Sequence, residues 1–123
     1  MERKIFDKSR IHPAVQRDIG GKAEHRKTVE EVEDAIHKHA LVIVGMRHNP
    51  FPRKARKLLD GKGIAYHYIE YGSYTSEWKR RGALKMWTGW QTFPMIFVKG
   101  QFIGGFEDLQ KLVESGELDK LLA

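Results

Sequence analysis

Met95-Ile96-Phe97-Val98-Lys99-Gly100-Gln101-Phe102-Ile103-Gly104-Gly105-Phe106-Glu107-Asp108 joins two short apolar runs, a tight turn and a helix start. Met95 to Val98 and Gln101 to Ile103 are separated only by Lys99-Gly100, the spacing of a β-hairpin. Gly104-Gly105 ends the second strand. Glu107 and Asp108 are acids of the kind favoured at the positive end of a helix. Leu109, Leu112 and Val113 continue at helical spacing. Leu118, Leu121 and Leu122 close the chain with a last helical turn.

Upstream, Leu41 to Val44 is a short apolar run rich in β-branched residues, expected to be a strand buried on both faces. Phe51, Ala55, Leu58 and Leu59 share one face of a helix that stops at Gly61 or Gly63. Ile64 to Ile69 reads as the next strand. A polar stretch through Gly72 and Ser73 leads to a third helix carrying Trp78, Leu84 and Trp87. Thr28 and Glu31 stand as a capping box, so the first helix is expected to begin at Thr28 and to present Val29, Val32 and Ile36. Strands that flank a helix should be parallel and joined right-handedly, whereas the last two should be antiparallel. The expected fold is therefore α/β, a small mixed four-stranded sheet covered by helices on both faces.

Residues 1–27 have weak periodicity, a proline at 13 and the pair Gly20-Gly21. They are expected to form a basic, partly irregular N-terminal extension, with a short strand or turn around Ile11 to Ile19. Residues 28–123 form the expected domain. A chain of 123 residues with 41% apolar and 31% charged residues is ordinary for one globular domain. No run is long enough to span a membrane, and the N-terminus has no apolar signal core, so the expected compartment is the cytoplasm. The formal charge of +6 is concentrated in residues 1–27, around Arg47, Arg53, Lys54, Arg56, Lys57 and Lys62, and at Lys79, Arg80, Arg81 and Lys85. Such patches favour anionic partners. The chain has no cysteine, so its own side chains can neither exchange thiols with disulfides nor hold a metal through thiolates.

Three separated motifs carry a family resemblance. Asn49-Pro50-Phe51-Pro52-Arg53-Lys54-Ala55 resembles the Cys-Gly-Phe-Ser-Arg-Lys-Ala segment of single-cysteine glutaredoxins, and equally the Cys-Pro-Tyr-Cys of the two-cysteine branch. Trp90-Gln91-Thr92-Phe93-Pro94 is similar to the family's Trp-Pro-Thr-Phe-Pro loop. Phe97 to Asp108 is similar to its Val-Lys-Gly-Glu-Phe-Ile-Gly-Gly-Cys-Asp-Asp stretch. The resemblance covers about residues 28–122 and implies a thioredoxin-like fold.

The departures bear on function. Asn49 stands at the family's nucleophilic cysteine, Pro52 at the second cysteine or serine, and Phe106 at a third position that is often cysteine. Asn49 is a good N-cap residue, with Pro50 comfortable at the first helical position and the helix starting there or as late as Pro52. Asn49, Pro50, Phe51 and Pro52 thus form a degenerate active site with no catalytic residue expected. The resemblance implies a surviving glutathione groove. Arg47 (Met46 in the rival alignment) and Lys85 would meet carboxylates. Thr92, Phe93 and Pro94 would form the cis-proline loop, and Gly105, Phe106, Glu107 and Asp108 would hold the γ-glutamyl end. Glu107 replaces the usual Asp and alters its reach. A cluster bridged by the family's cysteine and glutathione is not expected without a protein thiolate.

The leading expectation is a redox-inactive, glutaredoxin-like protein that binds glutathione or an acidic or extended protein partner. One alternative is a pure interaction or adaptor module with the groove closed by Pro52 and Phe106. Another is an enzyme that activates glutathione's own thiol through His48 or Tyr74. No metal site is expected, because His37 and His39 lack the spacing of helical ligand pairs. Nucleic acid is not an expected partner either, since packing accounts for most of Tyr66, Tyr68, Tyr71, Tyr74, Trp78, Trp87 and Trp90 more cheaply than base stacking does.

Overall fold

Alternation along each apolar run sends neighbouring side chains to opposite faces of one sheet. The computed structural model describes residues 3–4, 23–72 and 77–123. In chain order these contain β1 (Arg3–Lys4), α1 (Ala23–Lys38), β2 (Leu41–Gly45), α2 (Pro50–Gly61) and β3 (His67–Glu70). There follow α3 (Trp78–Thr88), β4 (Met95–Val98), β5 (Gln101–Gly104), α4 (Phe106–Ser115) and α5 (Glu117–Leu122). The sheet order is β1-β5-β4-β2-β3. β2 and β3 are parallel, with Ile43 opposite Tyr68, and β2 and β4 are antiparallel, with Ile43 opposite Ile96. β4 and β5 form the hairpin, whose turn residues Lys99 and Gly100 have φ of 51° and 81°. Left-handed geometry at both central positions is what a tight hairpin turn requires.

One face of the sheet packs Val42, Val44, Met95, Phe97 and Phe102 against Val29, Val32 and Ile36 of α1 and Leu84 and Trp87 of α3. The other packs Leu41, Ile43, Ile96, Val98 and Ile103 against Ala55 and Leu59 of α2, Leu109 of α4 and Leu118 of α5. The mixed sheet and its two helical covers follow the expectation. The edges differ from it. Arg3–Lys4 adds a fifth strand antiparallel to β5, with Arg3 opposite Phe102.

The first helix starts at Ala23, so Thr28 lies buried inside it rather than at its N-cap. Glu31 does not turn back to Thr28. Its carboxylate accepts the Tyr71 hydroxyl at 2.9 Å instead. Four residues resemble a cap equally well at the start or in the middle of a helix, and here the apolar stripe with its long-range partner decided. The strand expected from Ile64 begins only at His67, because Gly63 (φ 68°) and the Ile64 N–H, which donates to Leu59 O at 3.0 Å, complete the end of α2 first. The strand or turn expected around Ile11 to Ile19 lies outside the described residues.

Candidate functional site

The loop after β2 turns sharply at His48, a non-glycine residue with φ 67°, and delivers Asn49 to the start of α2. Asn49 is extended (φ −96°, ψ 123°), and its Oδ1 accepts the Phe51 N–H at 3.0 Å. The helix therefore begins at Pro50 rather than at Pro52. The same side chain has a second task. Its Nδ2 donates to the Phe93 carbonyl at 3.3 Å, across 44 residues of sequence. Phe93 precedes Pro94 through a cis peptide bond. Asn49 thus pins the start of α2 to the cis-proline loop.

That loop is set from α3. Gly89 (φ 72°) ends the helix by donating to Lys85 O, and Thr88 Oγ1 bonds back to Leu84 O at 2.9 Å while accepting Trp90 N–H at 3.1 Å. The Trp90 ring meets Phe102 edge-on at a centroid distance of 5.4 Å. It lies behind Gly105, where an added Cβ would sit 3.7 Å from the indole nitrogen. That buried N–H has no hydrogen-bond partner among the described residues. At the third side of the site, Asp108 Oδ2 accepts the Gly105 N–H at 2.9 Å and closes the first turn of α4. Phe106 faces Phe51 across the mouth, ring centroids 6.2 Å apart.

Asn49, Phe51, Phe93, Pro94, Gly105, Phe106 and Asp108 therefore converge where α2, the cis-proline loop and α4 meet. Pro52 turns inward, buried against Gly45. Thr92 and Glu107 are exposed on the loop and on α4. Lys85 Nζ stands 5.9 Å from the Phe93 ring, and Lys54 Nζ 4.9 Å from the Phe51 ring. Met46 is a core residue, which leaves Arg47 as the exposed cation of that loop. Arg47 Nε pairs with Glu70 Oε2 at 3.5 Å, and Glu70 also accepts the Tyr68 hydroxyl at 3.0 Å. Burial first, and then that bond, pushes the Tyr68 phenol up to about 12. Tyr71 is raised further for the same reasons, with Glu31 as its carboxylate.

In backbone donors, the start of α2 is poorly suited to an anion. Pro50 and Pro52 bring no N–H, and the Phe51 N–H is taken by Asn49, so few free donors remain where helix ends normally attract negative charge. No residue of the chain offers a thiolate, so a thiolate-held iron–sulfur cluster finds no protein ligand. Among the described residues no group of three or more His, Asp or Glu could hold a metal ion, and His39 stacks on His67 at 4.2 Å instead of converging with it. No described helix is long and apolar enough to cross a membrane. Tyr71 and Trp87 belong to one core, and Tyr66 and Tyr68 pack against the other, so these rings form no common stacking platform. His48 is exposed, and Tyr74 lies outside the described residues. Sequence reasoning passed over Glu70 and the contact role of Lys54. A partner 23 residues away has no local signature, and Lys54 was visible only as part of a charged run.

The glutaredoxin sequence profile matches residues 41–103, and a glutaredoxin-like protein of Dictyostelium discoideum is 43% identical over 94 residues, 76% of each chain. The chain belongs to the glutaredoxin family. Glutaredoxin 1 of Rickettsia prowazekii is 38% identical over 84 residues, covering 68% of this chain and 87% of its own. Among solved structures, a buckwheat glutaredoxin–glutathione complex superposes with a TM-score of 0.70 at 25% identity, covering 79% of this chain and 88% of the other. The fold is thus the thioredoxin-like fold of glutaredoxins. Within that fold this member has an amide, Asn49, and a proline, Pro52, at the positions where the resemblance implies thiols.

Proposed function

We propose that this cysteine-free glutaredoxin acts by binding, with glutathione or an extended acidic peptide lying in the groove between α2, the cis-proline loop and α4. The observation that carries the reading is the meeting of these elements around Asn49, held by its bonds to Phe51 and Phe93. A ligand main chain would run beside Phe93. That carbonyl has two lone pairs, so Asn49 does not exhaust it. Ligand carboxylates would draw on Arg47 and Lys85. Arg47 is available because its pair with Glu70 is long and exposed, a contact worth about 0–1 kcal/mol. Glu107, exposed on the first turn of α4, suits the ammonium group of a γ-glutamyl end. Glutathione in the buckwheat complex supports this choice of ligand.

The adaptor reading draws on one observation, that Asn49 already occupies part of the Phe93 carbonyl. Backbone amide shifts followed during titration with reduced glutathione separate the two. Phe93, Gly105 and Glu107 should move as the ligand saturates. Silence at millimolar ligand would favour the adaptor. A glutathione-dependent disulfide reductase assay should be blank for the natural chain, and Asn49→Cys should give measurable activity in an intact groove.

A further inference from the structure

We infer that the ligand class this groove selects is a glutathione thioether, in which the sulfur carries an apolar or aromatic substituent, rather than the free thiol. The inference rests on the glutathione reading above and adds to it the fate of the ligand's sulfur. Two observations carry it. The start of α2 has lost what stabilises a thiolate: Asn49 takes the Phe51 N–H, and Pro50 and Pro52 have none to give. A neutral sulfur, thiol or thioether, forfeits nothing there, whereas a thiolate would, so this end of the groove gives no advantage to an unsubstituted sulfur.

The second observation is the aromatic pair over the same spot. Phe51 is 45% exposed, and its ring lies 6.2 Å from that of Phe106 at an interplanar angle of 42°. These rings project from the first turns of the two helices that bracket the groove. A tilted, half-open pair of this kind offers an apolar surface on which a flat or chain-like group can rest. Lys54 Nζ stands 4.9 Å from the Phe51 ring, and Arg47 beside Glu70 and Lys85 beside Phe93 offer positive charge for the tripeptide's carboxylates. The charged part and the apolar part of an S-substituted glutathione each meet a matching surface.

Isothermal titration of the full chain with reduced glutathione, S-methylglutathione and S-hexylglutathione tests this, with S-hexylcysteine as the control lacking the γ-glutamyl and glycyl parts. Affinity should rise along the series, reaching roughly ten-fold above reduced glutathione for the hexyl compound, the effect of burying a few methylene groups. Phe51→Ala and Phe106→Ala should each remove most of that gain, so that the hexyl compound binds each variant little better than reduced glutathione binds the same variant. Phe51→Ser carries the test if Phe106→Ala fails to fold in a thermal melt. Equal or weaker binding of S-hexylglutathione beside measurable glutathione binding overturns the inference and leaves the glutathione reading standing. A gain that survives the phenylalanine variants, or S-hexylcysteine binding as tightly as S-hexylglutathione, overturns it too. Failure of every glutathione compound removes both readings together.

Discussion

The N-termini of α2 and α4 flank one groove, and each follows a strand that ends in glycine, yet their free backbone donors are disposed of differently. At α2 the cap is the Asn49 side chain, the first turn holds two prolines and no acid, and the capping amide reaches on to Phe93. At α4 the cap is Asp108 folding back onto Gly105, with Glu107 beside it in the first turn. One cap is a tertiary link; the other is local. The first turn of α2 is short of donors and has Arg53 as its charged residue, whereas that of α4 carries two carboxylates. Anion recognition therefore falls to side chains such as Arg47 and Lys85, and α4 is better suited to a ligand's ammonium group.

The glycines behind the two helix starts offer the largest test. At Gly104 (φ 113°) a Cβ would collide with the Asp108 carboxylate, in a backbone region other residues rarely adopt. Gly104→Ala should cost about 2–4 kcal/mol in urea denaturation, strain and overpacking together. Gly45→Ala would place its Cβ 2.7 Å from Pro52 Cβ and 2.8 Å from the Tyr68 oxygen, without a positive φ. Its expected cost is smaller, about 1–2 kcal/mol. The reverse order would mean that the rigid proline ring, not the backbone, sets the tighter limit.

Removing the caps themselves should cost less. Asn49→Ala is expected to lose about 1–2 kcal/mol, and Asp108→Ala about 0.5–1 kcal/mol. Hydrogen exchange sharpens the contrast: Asn49→Ala should loosen both Phe51 and the Phe93 loop, whereas Asp108→Ala should loosen only the turn at Gly105. If Asn49→Ala leaves the cis-proline loop as protected as before, the cross-link carries no tension between the two elements.

The smallest effect is alkaline. Tyr68, beneath the start of α2, is raised from 10.0 to about 12, so the folded state keeps a proton that the unfolded chain gives up. Its contribution is fully present below pH 10.0 and is lost as pH rises through about 12. Tyr71 acts in the same direction. Melting temperature should fall across that window, and Tyr68→Phe should flatten part of the fall.

Much of the fold was legible because its signals are local. Leu41 to Val44 and Met95 to Val98 are continuous apolar runs, since both faces of the sheet are covered, and Lys99-Gly100 spells its own turn. Asn49 as cap was also readable, because capping needs only neighbours, although the sequence left the helix start open between Pro50 and Pro52. Thr28 was misread for the converse reason: the capping pattern is short enough to recur inside a helix.

The sequence by itself determined what this chain cannot do. With no cysteine, no folding brings a protein thiolate to the groove. It also determined the order of elements, which follows from periodicity and turn chemistry along a few residues at a time. Only the tertiary structure decided what Asn49 does beyond its own helix, where Glu31 finds Tyr71, and that Phe51 faces Phe106. Those partners lie 40 or more residues apart, and it is packing on the sheet, not local pattern, that brings them within bonding distance.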